Sequence, residues 1–444
     1  MSTTSENELA TVTALEAAPP SSPRRILAWA MWDWGTQPFN TVITTFVFAV
    51  YLTSSSFGET NHTSQSLSLS TALAGIVVAL LAPVLGQSAD RNGRSVFHLR
   101  WQTWLLAAIS AALFFIAPSP EFLWPGLIML GVGSIISELA GVNYNSTIDQ
   151  VATTRNIGRV SGLGWGMGYL GGILVLLLIY FVFIAPGNLD NGLDIRYSMI
   201  VCGVWTLVFT IPTFLMLRDK PAQANRPKVG IVESYQLLGG TIARLWRERR
   251  QTFWFLLASA LFRDGLAGVF AFGAVIAAGT FGFSAGDVII FGAAANIVAG
   301  LSTIAFGLLD DWVGPRRVIL VSLASLSLLG LGVFFLHDGG TTTFWVLGLA
   351  MCLFVGPAQS ASRSFLARLI PEGRTGELFG LYATTGRVVS FLSPAMFGLA
   401  IGLGALVTGQ SNTQYWGILG IVVVLFAGWI AMMFVKEHDE HGSM

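Results

Sequence analysis

Hydrophobic residues occur along this chain in long runs, separated by short polar segments. A helix that crosses the ~30 Å hydrocarbon layer needs about 20 mostly apolar residues, and each run reaches that length. Strands of a membrane barrel would alternate in polarity instead. The pattern predicts twelve transmembrane helices, called spans 1 to 12 here, near residues 26–53, 69–88, 97–117, 122–144, 158–184, 196–217, 252–280, 284–308, 317–337, 343–366, 375–404 and 414–435.

Composition supports an integral membrane protein. Of 444 residues, 53% are hydrophobic and only 11% are charged, whereas a soluble domain carries about 25% charged residues. The formal net charge of zero gives no indication of a nucleic-acid partner. Cys202 and Cys352 both lie inside apolar runs, so neither a disulfide framework nor a metal site is predicted.

Lysine and arginine concentrate in alternate loops. If successive spans reverse direction, 21 of the 24 basic residues lie on one side, which the positive-inside rule assigns to the cytoplasm. In this count Arg363, Arg368 and Arg374 surround the end of span 10. Both termini are therefore expected in the cytoplasm, and the sequence does not distinguish a cell membrane from a vacuolar one.

These boundaries divide the chain into five parts. We expect a disordered tail at 1–25, a six-helix bundle at 26–217, a linker at 218–251, a second six-helix bundle at 252–435 and a tail at 436–444. Apolar residues at helical spacing predict a surface helix over 231–249, and its basic end suits the anionic inner leaflet. We expect a monomer surrounded by membrane lipids.

A loop motif occurs once in each half of the chain. Residues 86–94 and 307–317 place glycine, aspartate and glycine at the same internal spacing, which indicates duplication of a six-span unit. The glycines permit a tight turn, and each aspartate can face the positive end of a helix from the other half. We expect Asp90 near the start of span 11 and Asp311 near the start of span 5. The predicted gating loops comprise Gly86, Asp90, Arg91, Gly93, Arg94, Gly307, Asp311 and Gly314.

Several longer stretches resemble a known family. They are Trp32-Asp33-Trp34 with Phe39, the glycine-rich run from Gly158 to Gly172, Arg263-Asp264-Gly265, and the run from Gln359 through Ser362-Arg363-Ser364 to Tyr382. The loop motif resembles that of the major facilitator superfamily, and these stretches resemble its autophagy-related vacuolar effluxer branch. The resemblance implies an all-α integral membrane fold of twelve helices in two pseudo-symmetric six-helix bundles. Fungal members are described as exporters of amino acids from the vacuole.

Ionisable side chains at membrane depth cost a few kcal/mol or more, so each one needs a reason. Asp33, Gln37 and Asn40 share one face of span 1, and Glu138 and Asn145 share one face of span 4. We predict that spans 1, 4, 7 and 10 line a substrate cavity. The remaining candidates for substrate binding or coupling are Arg263, Asp264, Asn296, Gln359 and Arg387.

Each candidate also has a structural interpretation. Arg263 and Asp264 equally suit a lock between helices, and the span 5 glycines suit close helix packing. Two carboxylates at equal depth cannot both stay ionised cheaply, so Asp33 and Glu138 are a candidate proton-binding pair. Arg387 offers a planar fork for the carboxylate of a solute.

The sequence favours a secondary transporter over other classes. No phosphate-binding loop of a primary pump occurs, and the five histidines form no helical metal motif, so neither an enzyme nor a cofactor is predicted. The leading hypothesis is proton-coupled movement of a small organic solute, such as a neutral amino acid, by alternating access. The alternatives are proton-driven export of amphipathic compounds, which Trp29, Trp32 and Trp165 would suit, and a non-transporting solute sensor.

Overall fold

Helices form almost the entire molecule. The structure is a computed structural model that describes residues 22–186, 189–220, 231–370, 374–409 and 413–436, and no strand occurs within those ranges. Most of the predicted N-terminal tail, the C-terminal tail after residue 436 and linker residues 221–230 lie outside them. The all-α fold predicted from the apolar runs is confirmed.

Span 1 is interrupted directly after Pro38. Helix Pro23–Pro38 continues as a π-helix, Phe39–Phe46, and ends in the short helix Phe48–Leu52. Pro38 has no N–H to contribute to the helix, and π-helical turns absorb such a break within a helix.

The other spans are helical over most of the predicted residues. Span 11 is also divided, into Thr375–Val389 and Leu392–Thr408, a break that the apolar pattern does not predict. The remaining bounds are Thr60–Asn92 for span 2, Ser95–Ala112 for span 3, Leu123–Ser146 for span 4, Ile157–Ile179 for span 5, Leu193–Met216 for span 6, Arg250–Gly279 for span 7, Ala285–Val313 for span 8, Pro315–Phe335 for span 9, Gly340–Leu369 for span 10 and Gly417–Met433 for span 12.

Ten helical segments of the described chain are long and apolar enough to cross a membrane. The two predicted spans that are not among them are the interrupted span 1 and span 3. Span 3 is an 18-residue helix that contains His98, Arg100 and Gln102, which lower its hydropathy. Both nonetheless pack as full members of the bundle.

The two halves pack their helices in the same way, and each span of the first half corresponds to the span six positions later in the chain. Span 1 packs on spans 5 and 6, as span 7 packs on spans 11 and 12; span 2 packs on span 4, as span 8 packs on span 10. The halves meet mainly where span 2 packs on span 11 and where span 5 packs on span 8. These two regions are called the 2–11 contact and the 5–8 contact below.

Glycines allow the backbones to approach closely in both contacts. A β-carbon on Gly86 or Gly380 in the 2–11 contact would meet backbone atoms of the partner helix within 2.6 Å. In the 5–8 contact, a β-carbon on Gly162 would lie 2.7 Å from the carbonyl oxygen of Thr303 and 2.8 Å from the Cα of Gly307. Substitution at these positions would therefore push the halves apart.

Candidate functional site

An arginine of the second half reaches into the first half. Arg363 of span 10 lies 3.4 Å from Asp33 of span 1, measured from Nη1 to Oδ2, and its side chain is only 4% exposed. Its Nη1 also donates to Asn145 Oδ1 of span 4 at 3.2 Å. Its Nε and Nη2 donate to the hydroxyl and carbonyl oxygens of Ser161 on span 5 at 2.9 and 2.6 Å. One guanidinium therefore joins span 10 to three helices of the other half.

Arg363 was not among the site residues predicted from the sequence. The predicted span 10, residues 343–366, includes Arg363 near its end; the helix extends three residues further, as Gly340–Leu369, and Arg363 is buried within it. Six residues separate it from the helix end, or about 9 Å at the helical rise. The Ser362-Arg363-Ser364 sequence was the available signal, because two small polar residues flank the arginine within an apolar helix.

Aromatic side chains hold the Asp33 carboxylate in position. The ring of Tyr144 stacks between Trp29 and Trp32, with centroids 4.3 and 4.2 Å away, and its hydroxyl donates to Asp33 Oδ2 at 3.0 Å. The guanidinium carbon of Arg363 also lies 5.0 Å from the Trp29 ring centroid. Stacking and cation–π contacts of this kind hold both partners of an ion pair in a fixed geometry.

A second ion pair joins the halves farther from the loop motifs. Arg387 of span 11 contacts Glu138 of span 4 through Nη2 and Oε1. Their side chains are 32% and 41% exposed, so this pair is far more accessible than the one made by Arg363. Asp33 and Glu138 thus each have an arginine partner from the opposite half.

Both loop-motif aspartates bind the start of a helix in the other half. Asp90 accepts hydrogen bonds from the backbone N–H groups of Gly376 and Glu377, both at 2.9 Å. Asp311 accepts from the N–H groups of Gly158 and Arg159, at 2.7 and 3.1 Å. The placement predicted for the two aspartates is found, and the molecule is closed at this end, which is called the loop-motif end below.

The two contacts differ in their charges. Asp311 also binds Arg159 Nε at 2.9 Å and Arg368 Nη2 at 3.3 Å. Asp90 has two backbone donors, and the residue that corresponds to Arg159 is Glu377, which is buried. The Glu377 carboxylate accepts from Gln87 Nε2 at 2.9 Å and from Thr241 Oγ1, on the linker helix, at 2.7 Å.

The second glycine of each loop motif occupies a turn position, whereas the first, Gly86 or Gly307, lies inside the helix of span 2 or span 8. Gly93 follows span 2 with φ +65°, and Gly314 follows span 8 with φ +89°. Residues other than glycine rarely adopt these backbone angles. Arg94 is exposed beside the first turn, and Arg91 is half-buried.

Arg263 and Asp264 do not pair with each other. Arg263 Nη1 donates to the carbonyl oxygen of Tyr382 at 2.9 Å, and its guanidinium carbon lies 3.6 Å from the centroid of that ring. Asp264 Oδ2 accepts from the N–H of Ser393 at 2.6 Å, in the first turn after the break in span 11. Both residues therefore connect span 7 to span 11 within the second half.

The remaining candidates lie in different surroundings. Gln359 of span 10 accepts from the Tyr169 hydroxyl of span 5 at 2.8 Å, a further bridge between the halves. Asn296 donates to Gly292 of its own helix at 2.8 Å. Gln37 packs against Gly172 of span 5, and Asn40 is exposed.

Sequence comparison identifies relatives of this chain. It matches the family described as "Vacuole effluxer Atg22 like" over residues 141–440. It is 26% identical over 422 residues to the MFS-type transporter YxiO of Bacillus subtilis (strain 168), covering 92% of this chain and 94% of the relative. Autophagy-related protein 22 of Yarrowia lipolytica is 25% identical over 301 residues, or 61% of this chain and 49% of that protein. The match therefore extends over about half of the fungal relative.

Solved structures show the same fold. The proton:xylose symporter XylE superposes with a TM-score of 0.72 at 14% identity, over 93% of this chain and 96% of that one. The human organic anion transporter MFSD10 superposes with a TM-score of 0.71 at 14% identity, over 94% and 100%. At such identities the likeness shows the fold alone. Taken with the family match over residues 141–440, the helical architecture shows that this chain belongs to the Atg22-like vacuole effluxer family and is a membrane transporter of the major facilitator type.

Proposed function

We propose that this protein moves a small zwitterionic solute, such as a neutral amino acid, by proton-coupled alternating access. The observation that carries the proposal is the pair of arginine–carboxylate contacts between the halves, Asp33–Arg363 and Glu138–Arg387. Alternating access requires contacts that hold the halves together in one state and can be exchanged for others in the next. The basic loops support placing the loop-motif end in the cytoplasm.

The Glu138–Arg387 pair suits a zwitterion because the solute carries the same two charges. A carboxylate can replace Glu138 on the Arg387 guanidinium, and an ammonium group can replace Arg387 on Glu138. The solute would then bridge spans 4 and 11 of the two halves. The exposure of both side chains supports this exchange, since a solute can approach them without unpacking the core.

The Asp33–Arg363 pair suits proton coupling. Protonating Asp33 removes the charge that faces a buried arginine, and an unpaired buried charge is costly. Proton binding would therefore weaken the contact between spans 1 and 10 and favour separation of the halves at the loop-motif end. The proton and the solute would act on separate pairs but on the same conformational change.

Transport into proteoliposomes tests this assignment. Wild-type protein should accumulate a neutral amino acid when a pH gradient is imposed, and should exchange it in counterflow without a gradient. Asp33→Asn should retain counterflow and lose gradient-driven accumulation. Arg387→Lys keeps the charge but loses the bidentate fork, so it should weaken the apparent affinity for solute in both assays.

The control is Glu121→Gln, which removes a carboxylate from an exposed position outside the bundle centre and should behave as wild type. Gradient-driven accumulation by Asp33→Asn would contradict the proton site. Full affinity in Arg387→Lys would contradict the solute site. Solute binding without counterflow in wild-type protein would identify a sensor instead of a carrier.

A further inference from the structure

The linker between the halves forms a helix that lies against the bundle. Helix Ile231–Glu248 packs on spans 2 and 7. One face of it is buried, formed by residues spaced three or four apart, which is the pattern of an amphipathic surface helix. This face comprises Ser234, Leu238, Thr241 and Leu245.

A second apolar stripe runs beside the buried face but is exposed. Tyr235, Ile242 and Trp246 follow helical spacing and are 38%, 41% and 45% exposed. The Trp246 ring lies 5.8 Å from Trp254 of span 7, which is itself 45% exposed on the outside of the bundle. The stripe is therefore continuous with the outer surface of a membrane span, the surface that meets lipid.

The polar side of the helix is basic at its C-terminal end. Arg244 and Arg247 are exposed on this helix, and Arg249 and Arg250 are exposed directly after it. The exposed acidic residues of the helix are Glu233 and Glu248. The guanidinium carbon of Arg250 lies 5.7 Å from the Trp246 ring centroid. Arginines beside an apolar stripe at a membrane surface place their charges at the level of the lipid phosphates.

The buried face of the same helix is hydrogen-bonded to a residue of the 2–11 contact. Thr241 Oγ1 donates to Glu377, whose backbone N–H donates to Asp90 of the loop motif. From the exposed stripe, the Tyr235 hydroxyl donates to the carbonyl oxygen of Leu80 on span 2 at 2.9 Å. A shift of the linker helix would thus act on both helices of that contact.

We propose that the linker helix binds anionic phospholipid and that this binding stabilises the closed 2–11 contact through Thr241 and Glu377. The arginines bind lipid phosphates, Ile242 and Trp246 insert into lipid beside span 7, and the buried face is held against Glu377. Lipid charge would thereby bias the closed state. The transport activity proposed above is not needed for this binding, so the two can fail independently.

Two measurements test the inference. The first is lipid binding, measured by native mass spectrometry of the full-length protein with phosphatidylglycerol or phosphatidylcholine. Arg247→Gln/Arg250→Gln should lower phosphatidylglycerol affinity about fivefold for each arginine removed. The matched control is Arg24→Gln/Arg155→Gln, which removes two exposed arginines that lie away from the linker helix and should lower the affinity by clearly less.

The second measurement is amide hydrogen exchange at the start of span 11 in vesicles with and without phosphatidylglycerol. Anionic lipid should slow exchange at Gly376 and Glu377 severalfold in wild-type protein. Thr241→Val should keep lipid binding and lose this slowing. Equal affinity for the two lipids, an equal loss in both double variants, or a lipid response that persists in Thr241→Val would each overturn the proposal.

Discussion

The backbone of Gly164 lies so close to the Asp33 carboxylate that a β-carbon at this position would come within 2.7 Å of Oδ2. The same β-carbon would lie 2.8 Å from Nη2 of Arg363. Both distances are shorter than a van der Waals contact allows, so the ion pair between the halves depends on the missing side chain of span 5.

Gly164→Ala is therefore expected to loosen the Asp33–Arg363 pair. We expect a lower temperature of unfolding and a destabilisation of about 1–3 kcal/mol, the usual cost of forcing an extra methyl group into a packed core. Thermal unfolding of the purified protein measures the effect. Gly273→Ala is the control, because no heavy atom lies within 4 Å of its β-carbon position. Equal stability of the two variants would contradict this reading of Gly164.

The Asp33–Arg363 contact should be revealed by a double-mutant cycle. Asp33→Asn leaves the buried charge of Arg363 unpaired, and Arg363→Gln leaves that of Asp33 unpaired. Each single variant should therefore lose about 3–5 kcal/mol of its free energy of unfolding. The double variant should lose clearly less than the sum, because no unpaired charge remains. The readout is the free energy of unfolding in detergent micelles. Strict additivity would show that the two side chains do not interact.

The loop-motif aspartates should differ in strength. Asp311 binds two arginines in addition to two backbone N–H groups, whereas Asp90 has two backbone donors and Glu377 beside it. Hydrogen bonds to charged groups contribute about 1.5–3 kcal/mol each, so Asp311→Asn should open the 5–8 contact more than Asp90→Asn opens the 2–11 contact.

Amide hydrogen exchange measures each contact separately. Exchange at Gly158 and Arg159 should accelerate in Asp311→Asn, and exchange at Gly376 and Glu377 should accelerate less in Asp90→Asn. Peptides from span 9 provide an internal reference in both variants. Equal acceleration at the two helix starts would contradict the predicted difference.

Asp264 should stabilise the second part of span 11 without taking part in coupling. Its carboxylate accepts from the Ser393 N–H at a helix start, a contact of the capping kind that contributes about 0.5–2 kcal/mol. Asp264→Ala should therefore lower thermal stability by that amount. The ratio of gradient-driven to counterflow transport should stay at the wild-type value, and a change in that ratio would assign Asp264 to the coupling mechanism.

Much of the fold could be predicted from the sequence because membrane-spanning helices must be long and apolar. The loop motifs were equally readable, since glycine and aspartate recur at matched positions in the two halves. The break after Val389 does have a signal in Pro394, which has no N–H for the carbonyl oxygen of Ser390 and whose ring clashes with it in a continuous helix, but the apolar pattern alone does not show it. The Asp264 contact that satisfies the new helix start comes from span 7 and could not be predicted from the pattern.

The polar residues of spans 1 and 4 could be located by helical spacing, but their partners could not. Asp33 and Glu138 lie on neighbouring helices of one half, which suggested a shared proton. Their arginine partners come from spans 10 and 11, and which helices meet across the centre depends on the packing of the two halves. Arg363 was not recognised as a site residue because an arginine near the basic end of a span also fits the positive-inside pattern.

The glycines of span 5 form two faces of that helix that carry few side chains. Gly158, Gly162 and Gly166 lie against span 8 of the opposite half, while Gly164, Gly168 and Gly171 lie against span 1. Side chains that interlock must change rotamer before one helix slides along another. Two helix faces lined by glycine have few side chains that must move apart first. In the alternating access proposed above, span 5 can therefore slide against its neighbours with few side-chain rearrangements, and substitutions along it should alter the rate of transport more than the choice of solute.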